Sequence, residues 1–205
     1  MAQQCLWYYT DLPEQVIDIL IKELSKNFDN RVADSLLVGD KYNKDVRNSR
    51  NCWIPSNHWI GGFLWHYISR ANRENFLYDI TNIDQESIQY TRYEEGEYYG
   101  WHIDSGLSTH YQPLSKDDDK SKSIDFTYTN IESVRKLSFA VQLSDPDDYE
   151  GGNVQFMNEK QQSYFAPRTK GTIMLFDSRT PHRVLKVTKG VRKSLVGWCV
   201  GPRWK

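Results

Sequence analysis

The chain has 205 residues, of which 39% are hydrophobic and 26% are charged, and its formal net charge is −1. These values are typical of one globular domain with its own core, and the near-neutral charge gives no reason to expect nucleic acid as a partner. No apolar run approaches the roughly 18 residues that a transmembrane helix needs, so no membrane association is expected.

The spacing of the cysteines and the N-terminal sequence indicate the cellular compartment of the protein. Cys5, Cys52 and Cys199 are scattered, without the close spacing of a zinc site or a disulfide framework. The first residues, MAQQCLWYYTD, contain no basic region followed by an apolar run, so no secretory signal is expected. These features together predict free thiols in a reducing compartment, and therefore a cytoplasmic protein.

Two amphipathic helices are predicted in the first third of the chain. Thr10 and Asp11 precede an early proline, which suits a helix N-terminus, and apolar residues then recur at three- and four-residue spacing over 16–28. A second apolar stripe with the same period covers 60–71. We expect both helices to pack on the core, as a helical support within residues 1–75.

From about residue 76 the apolar period changes to two, which is typical of β-strands. The predicted strands are 87–93, 98–104, 137–143, 153–156, 172–176, 182–187 and 192–200. The polar segment between Asp104 and Ile131, with the run KDDDKSK, is predicted to be a solvated loop. Helices followed by many short strands predict a mainly β fold, with a β core over 76–205 inside a single domain of 1–205.

The stretch YYGWHID, residues 98–104, places His102 and Asp104 two positions apart. Alternate side chains of a strand share a face, so both can bind one metal ion. Among the other histidines, at positions 58, 66, 110 and 182, His182 is best placed because it follows the strand GTIMLFD. Two imidazoles and one carboxylate form the facial triad of non-haem Fe(II) oxygenases. A His-x-Asp pair also fits a structural hydrogen bond, and the sequence after His182 decides between the two interpretations.

After His182, Arg192 begins the strand RKSLVGWCV, in which alternation places Arg192, Ser194 and Trp198 on one face. A buried arginine on an inward face needs an anion, because an unpaired buried charge is costly. Its guanidinium fork suits a carboxylate, and Ser194 can add a hydroxyl donor. 2-Oxoglutarate chelates iron at one end and presents a carboxylate at the other, so it satisfies both sites.

The chain resembles the 2-oxoglutarate/Fe(II)-dependent dioxygenase superfamily in three motifs: YEEGEYYGWHID, RKLSFAVQLSDPDDYEGG and FDSRTPHRVLKVTKGVRKSLVGW. The resemblance covers residues 87–201 and is nearest to the prolyl 4-hydroxylase-like group, with its bacterial and phage PKHD-type members. It implies a double-stranded β-helix, a jelly roll of two facing sheets. It implies that His102, Asp104 and His182 bind Fe(II). It also implies that Arg192 binds the distal carboxylate of 2-oxoglutarate, and that ascorbate serves as reductant.

The resemblance implies further pocket residues. Tyr93 begins a Tyr-x-x-Gly-x-x-Tyr pattern that lines the cosubstrate pocket in the family, and strand 137–143 turns small side chains toward it. Tyr99 ends the same pattern, but alternation turns it away from the iron ligands. Tyr99 therefore fits a position in the core as well as one in the cosubstrate pocket. At Gln142 relatives often have a tyrosine that binds the distal carboxylate, so the carboxylate contacts stay open. Trp198 fits either a wall of the site beyond the iron or a core position.

The implied reaction is hydroxylation of a C–H bond, and two substrate classes stay open: a prolyl residue in a peptide or protein, and a free amino acid or other small molecule. Side chains that could form a peptide groove, each of which also fits a core or surface position, are Arg47, Arg50, Trp53, Trp59 and Trp101. Trp198 disfavours nucleic-acid demethylation, since that branch of the superfamily has a second arginine at this position. Arg192 disfavours a cupin-like binding module without turnover.

Overall fold

The computed structural model describes residues 6–10, 12–35, 44–55, 57–84, 88–104, 133–202 and 204. The predicted loop between positions 104 and 131 therefore lies outside the described residues, as do Cys5 and His110. None of the helices in the described ranges is long and apolar enough to span a membrane.

Two helices lie where the apolar periodicity predicts them: α1 spans Glu14–Asn27 and α2 spans Trp59–Ala71. α1 begins directly after Pro13, whose restricted φ suits the start of a helix. α2 continues into a π-helical turn, Asn72–Phe76, which ends at Leu77 in the left-handed region with φ of 53°.

Each of the segments predicted from residue 87 onward contains a strand, although the segment 182–187 is divided between two strands. The short strands Asn82–Ile83, Tyr149–Gly151 and Ser163–Phe165 were not predicted. The strands are, in chain order, β1 Leu6–Tyr9, β2 Ala33–Asp34, β3 Arg47–Asn48, β4 Arg50–Ile54, β5 Asn82–Ile83, β6 Ile88–Tyr93, β7 Tyr98–His102, β8 Ser133–Gln142, β9 Tyr149–Gly151, β10 Val154–Met157, β11 Ser163–Phe165, β12 Ile173–Asp177, β13 His182–Val184, β14 Val187–Gly190 and β15 Arg192–Pro202.

The described strands form two main antiparallel sheets. The larger sheet has eight strands in the order β1-β12-β8-β15-β6-β4-β2, with β5 beside β15. The smaller sheet has five strands in the order β11-β10-β13-β7-β3, and β14 pairs with β9 separately. The sheets face each other across a cluster that includes Met174 and Phe176 of β12 and Phe156 of β10. The predicted fold class, a mainly β double-stranded β-helix with N-terminal helices, is confirmed.

Alternation along β8 separates the helix-facing core from the space between the sheets. Leu137, Phe139 and Val141 belong to the large core cluster that also contains the buried faces of both helices. Ala140 lies on the opposite face and packs with Phe156. The prediction that the large side chains of this strand face away from the pocket is confirmed.

The first third of the chain contains strands that the sequence analysis missed. Residues 1–75 were assigned only a helical support, but β1, β2 and β4 join the larger sheet and β3 joins the smaller one. β2 and β3 are each two residues long, so no alternation is visible in them. The sequence of β1 is LWYY, which is aromatic almost throughout and has no period of two.

Candidate metal and cosubstrate site

His102, Asp104 and His182 come together at the smaller sheet. His102 ends β7, and it lies directly opposite His182, which begins the neighbouring strand β13. Asp104 Oδ1 lies 3.7 Å from His102 Nε2, and Asp104 Oδ2 lies 3.5 Å from His182 Nε2. One ligand atom from each residue lies within 4.8 Å of the other two, so the three side chains can hold one metal ion.

Both histidines present Nε2 to this space because Nδ1 is bonded elsewhere. His102 Nδ1 lies 2.8 Å from the carbonyl oxygen of Gly100, and His182 Nδ1 lies 2.9 Å from that of Thr180. A carbonyl oxygen only accepts, so each Nδ1 carries the proton and each Nε2 keeps a free lone pair. Hydrogen bonds of this kind fix the tautomer and the ring orientation of metal-binding histidines.

Asp104 is held by the larger sheet and by the segment after β12. Ser138 Oγ of β8 donates a hydrogen bond of 2.6 Å to Asp104 Oδ2, and Ser178 Oγ lies 3.0 Å from Ser138 Oγ. The Asp104 backbone N–H donates to the carbonyl of Ser178 at 2.9 Å. The carboxylate is therefore oriented from both sides, although its residue lies just beyond the end of β7.

The ionisation of these groups suits a divalent cation. Burial, and then the neighbouring His182, lower the pKa of His102 to about 4, so its imidazole is neutral near pH 7. Burial alone would raise the pKa of Asp104, but His182, His102 and the Ser138 hydroxyl outweigh it and hold that pKa below its usual value. The site therefore offers an ionised carboxylate beside an imidazole lone pair, as metal ligation requires.

Tyr99 lies against His102, with the ring centroids 3.6 Å apart and the planes 13° from parallel. In the pairing of β7 with β13, His102 lies opposite His182 and Tyr99 lies opposite Val184, so β7 has an extra residue in this interval. Such a β-bulge reverses the alternation and turns Tyr99 to the same face as His102. The expectation that Tyr99 faces away from the iron ligands is therefore wrong. The Arg47 guanidinium carbon lies 4.8 Å from the Tyr99 ring centroid.

Aromatic side chains enclose the metal-ligand cluster. The ring of Phe176 meets His182 edge-on at a centroid distance of 4.7 Å, and Phe156 lies at 5.9 Å. Trp198 is buried and lies opposite Ser138 in the β15–β8 pair, where its indole also lowers the pKa of Asp104. Of the two positions that the sequence left open for Trp198, the structure shows the one beside the site.

A second cluster surrounds Arg192 at the start of β15. Arg192 Nη2 donates to Gln142 Oε1 at 3.0 Å, and Nη1 lies 3.4 Å from Ser194 Oγ. The guanidinium carbon lies 5.6 Å from the ring centroid of Tyr93. Arg192 is 2% exposed, and burial lowers its pKa. Within the described ranges it has neutral partners and no ion pair, so the cluster suits an anionic ligand.

A buried polar atom on the same inner face supports a ligand beside the Arg192 cluster. Thr91 Oγ1 has no hydrogen-bond partner among the described residues. Thr91 lies opposite Ser194 in the β6–β15 pair, and so lies beside the Arg192 cluster. Since buried polar groups are nearly always bonded, this atom marks space that ligand atoms can occupy. The residues thus fit a metal ion at the histidines and a carboxylate-bearing cosubstrate at Arg192.

The structure brings the predicted site residues into these two clusters or against them. They are His102, Asp104, His182, Arg192, Tyr93, Ser194, Gln142, Tyr99 and Trp198. Ser138 is one of the small side chains that strand 137–143 turns toward the pocket, and the face that it shares with Gln142 could have indicated a role. Tyr149 was not predicted. Its hydroxyl accepts a bond of 2.8 Å from Gln142 Nε2, but it begins β9, a three-residue strand that is too short to show a periodic signal.

A jelly roll that holds two histidines and a carboxylate near a buried arginine defines a class of protein, the non-haem iron oxygenases that use a 2-oxo acid. A profile of the 2OG-Fe(II) oxygenase superfamily matches residues 88–200. The chain is 33% identical over 178 residues to a PKHD-type hydroxylase of Synechococcus sp. strain JA-2-3B'a(2-13), covering 85% of this chain and 70% of the relative. The chain therefore belongs to the 2OG-Fe(II) oxygenase superfamily, as a PKHD-type member with Fe(II) as cofactor and 2-oxoglutarate as cosubstrate.

Solved structures show the same fold. A prolyl-4-hydroxylase of Pseudomonas putida superimposes with a TM-score of 0.66 at 16% identity, covering 98% of this chain and 94% of that one. A prolyl hydroxylase of Trichoplax adhaerens, in complex with a peptide fragment of the hypoxia inducible factor oxygen degradation domain, gives 0.70 at 16% identity, with coverages of 95% and 83%. At this identity the likeness establishes the fold alone.

Proposed function

We propose that this oxygenase hydroxylates a C–H bond of a prolyl residue in a peptide or protein. The observation that carries the proposal is the cluster of His102, Asp104 and His182 at the smaller sheet, which faces a larger sheet that holds a buried Arg192 with neutral partners. With dioxygen, bound Fe(II) and 2-oxoglutarate supply the oxidising chemistry, in which the cosubstrate is decarboxylated to succinate.

The protein's own residues bind and orient these groups. His102 and His182 bind Fe(II) through Nε2, and Asp104 binds it through a carboxylate oxygen. Arg192 binds the distal carboxylate of 2-oxoglutarate, because its guanidinium fork matches a carboxylate and has no competing anion among the described side chains. Trp198 forms the wall beside Asp104.

The pocket around Arg192 has three further binding residues in this proposal. Gln142 and Ser194 hold the guanidinium in place through their side-chain oxygens. Tyr93 lies opposite Arg192 in the β6–β15 pair and lines the cosubstrate chain with its buried ring. Tyr99 orients His102 by stacking on it rather than by contacting the cosubstrate.

The substrate class rests on an aromatic rim beside the metal ligands. The Trp53 side chain is 42% exposed, and its ring centroid lies 6.3 Å from that of the buried Trp198. The Arg135 guanidinium carbon lies 3.9 Å from the Trp198 ring. Proline-containing segments dock on surfaces lined by aromatic side chains, so the exposed Trp53 favours a substrate of this kind. The peptide in the Trichoplax adhaerens complex, bound by a protein with the same fold, also favours a peptide substrate.

Other candidate groove residues give less support. Arg47 is buried and bonded to Ser49 and Gln89, and Arg50 forms an ion pair with Glu94.

The proposal includes no nucleic acid partner. A single domain over 1–205 is favoured because strands of the first third share the larger sheet with β15. A cytoplasmic location is favoured because the two cysteines inside the described ranges are free.

The test is succinate formation by the purified full chain with Fe(II), 2-oxoglutarate and ascorbate, with and without proline-containing peptides. We expect peptide-dependent succinate and a gain of one oxygen atom in the peptide, both abolished in His182→Ala and Arg192→Ala. Arg70→Ala serves as a matched control, because Arg70 lies on α2 and pairs with Glu74 at the surface.

The outcomes separate the alternatives. Succinate formation that no peptide stimulates would contradict the peptide substrate and favour a free amino acid or another small molecule. Absence of succinate from metal-loaded wild-type protein, with or without peptide, would contradict the enzymatic function itself.

A further inference from the structure

Tyr149 is buried beside Arg192, and nothing in the roles described so far uses its hydroxyl group. It begins β9, directly after the short helical turn Pro146–Asp148, and its side chain is 3% exposed. A Cβ on Gly152 would lie 3.2 Å from both Tyr149 Cε2 and Arg192 Cδ. The phenol ring and the arginine stem therefore pack on the same glycine, at the same end of the pocket.

The hydrogen bonds of Gln142 determine the state of the Tyr149 hydroxyl. Arginine can only donate, so the amide oxygen of Gln142 faces Arg192 and the NH₂ group faces Tyr149. That NH₂ group donates to the Tyr149 oxygen at 2.8 Å. Because the phenol oxygen is the acceptor in this bond, its own proton stays free to donate. Among the described residues, the Tyr149 hydroxyl accepts this bond and donates none.

The surroundings of Tyr149 are positively charged. The Arg168 guanidinium carbon lies 4.3 Å from the Tyr149 ring centroid, and Arg168 Nη2 donates to the Tyr149 carbonyl at 2.8 Å. Arg168 also bonds Asn153 and the Pro146 carbonyl, and within the described ranges it has no carboxylate partner. Tyr149 therefore lies between two arginines, Arg168 and Arg192, neither of which has a counter-ion there. Because the potential around Tyr149 is positive, the acceptor that best suits its hydroxyl proton is an anion.

We propose that Tyr149 is a further binding residue of the cosubstrate pocket, and that its hydroxyl donates a hydrogen bond to the carboxylate held by Arg192. The assignment rests on the proposed function of this pocket. Gln142 then acts as a positioning residue, since it holds Arg192 with its oxygen and Tyr149 with its nitrogen. Arg168 fixes the Tyr149 ring from the other side and adds positive potential.

The test compares two ligands that differ only at the distal end. 2-Oxopentanoate has the chelating 2-oxo acid group and the chain length of 2-oxoglutarate, but a methyl group replaces the distal carboxylate. The dissociation constant of each ligand is measured by calorimetry on Mn(II)-loaded full chain, for wild type and Tyr149→Phe. Tyr67→Phe is the matched control, because Tyr67 lies on α2 in the helix-facing cluster.

We expect Tyr149→Phe to raise the dissociation constant of 2-oxoglutarate about tenfold, the usual effect of losing a hydrogen bond to a charged group. Its affinity for 2-oxopentanoate should be unchanged, and Tyr67→Phe should bind both ligands as wild type does.

Equal affinity of Tyr149→Phe and wild type for 2-oxoglutarate would overturn the assignment. So would an equal loss for both ligands, since that would place the effect outside the distal carboxylate. Wild-type protein that binds Mn(II) but no 2-oxoglutarate would overturn the proposed function as well. This result differs from a loss of binding in Tyr149→Phe alone, which bears only on the role of Tyr149.

Discussion

Asp104 shows how single hydrogen bonds determine the chemistry of the site. The carboxyl group is buried, which favours its neutral form, yet the neighbouring imidazoles and the Ser138 hydroxyl hold its pKa below the usual value. Ser138 belongs to the larger sheet and the histidines to the smaller one. The bond between Ser138 and Asp104 therefore links the two sheets at the metal-binding position.

We predict that Ser138→Ala weakens metal binding. The substitution removes the donor that lies 2.6 Å from Asp104 Oδ2, so the carboxylate loses both orientation and stabilisation of its charge. Loss of such an outer bond typically lowers metal affinity by about 10- to 100-fold, which titration with Mn(II) would measure. Ser178→Ala is the control, because Ser178 Oγ contacts Ser138 and makes no bond to the carboxylate. Equal metal affinity in Ser138→Ala and Ser178→Ala would contradict this role.

We predict that the ring of Tyr99, rather than its hydroxyl, supports His102. The parallel rings at 3.6 Å restrict the imidazole to the orientation in which Nε2 is free. Tyr99→Phe keeps the ring and should bind Mn(II) like wild type. Tyr99→Ala should bind about threefold to tenfold more weakly, in line with the usual value of an aromatic pair. A loss of affinity in Tyr99→Phe as large as that in Tyr99→Ala would indicate instead that the hydroxyl is required.

The sequence could predict the identity of the metal ligands but not all of their neighbours. His102 and Asp104 lie two residues apart at the end of β7, and His182 begins another strand. This spacing, together with Arg192 after His182, was enough to indicate the set of ligands. The position of Tyr99 depends on a bulge whose only trace is the pairing register with β13, which the sequence does not show. Tyr149 reaches Gln142 from the start of β9, a strand of three residues that is too short to show a period in the sequence.

At the scale of elements, the helices act as a cover for the outer face of the larger sheet. The buried residues of α1 and α2 share one cluster with β8, β12 and β15. Ile17 of α1 packs close to Gly171, which has φ of 84° and where a Cβ would overlap the Ile17 side chain. The helices could be predicted because one face of each is apolar at helical spacing. The two-residue strands could not, because pairing with longer neighbours creates them.

Two isoleucines on α1 give a matched test of this packing. Ile17 is 6% exposed and Ile19 is 60% exposed, so the same truncation probes the buried face and the solvent face of one helix. We expect Ile17→Ala to lower the free energy of unfolding by about 2–4 kcal/mol, since it leaves a cavity against the sheet. Ile19→Ala should change it by less than about 0.5 kcal/mol. Urea unfolding followed by circular dichroism measures both, and similar values for the two variants would contradict the assigned orientation of α1.

At the scale of the whole molecule, the site depends on both sheets. The smaller sheet supplies His102 and His182, and the larger sheet supplies Arg192 together with the serine that holds Asp104. In the proposed function, metal and cosubstrate bind where the sheets face each other, and binding of both groups would stabilise this arrangement by linkage. The helices lie on the opposite side of the larger sheet, so they support the site without contacting it.

A crystal structure of the full chain with Mn(II) and 2-oxoglutarate tests the central claim most directly. We predict one metal ion bound by Nε2 of His102, Nε2 of His182 and a carboxylate oxygen of Asp104. We also predict the chelating end of 2-oxoglutarate on that ion and the distal carboxylate on Arg192. A metal ion held by other residues, or a distal carboxylate that does not contact Arg192, would contradict the account.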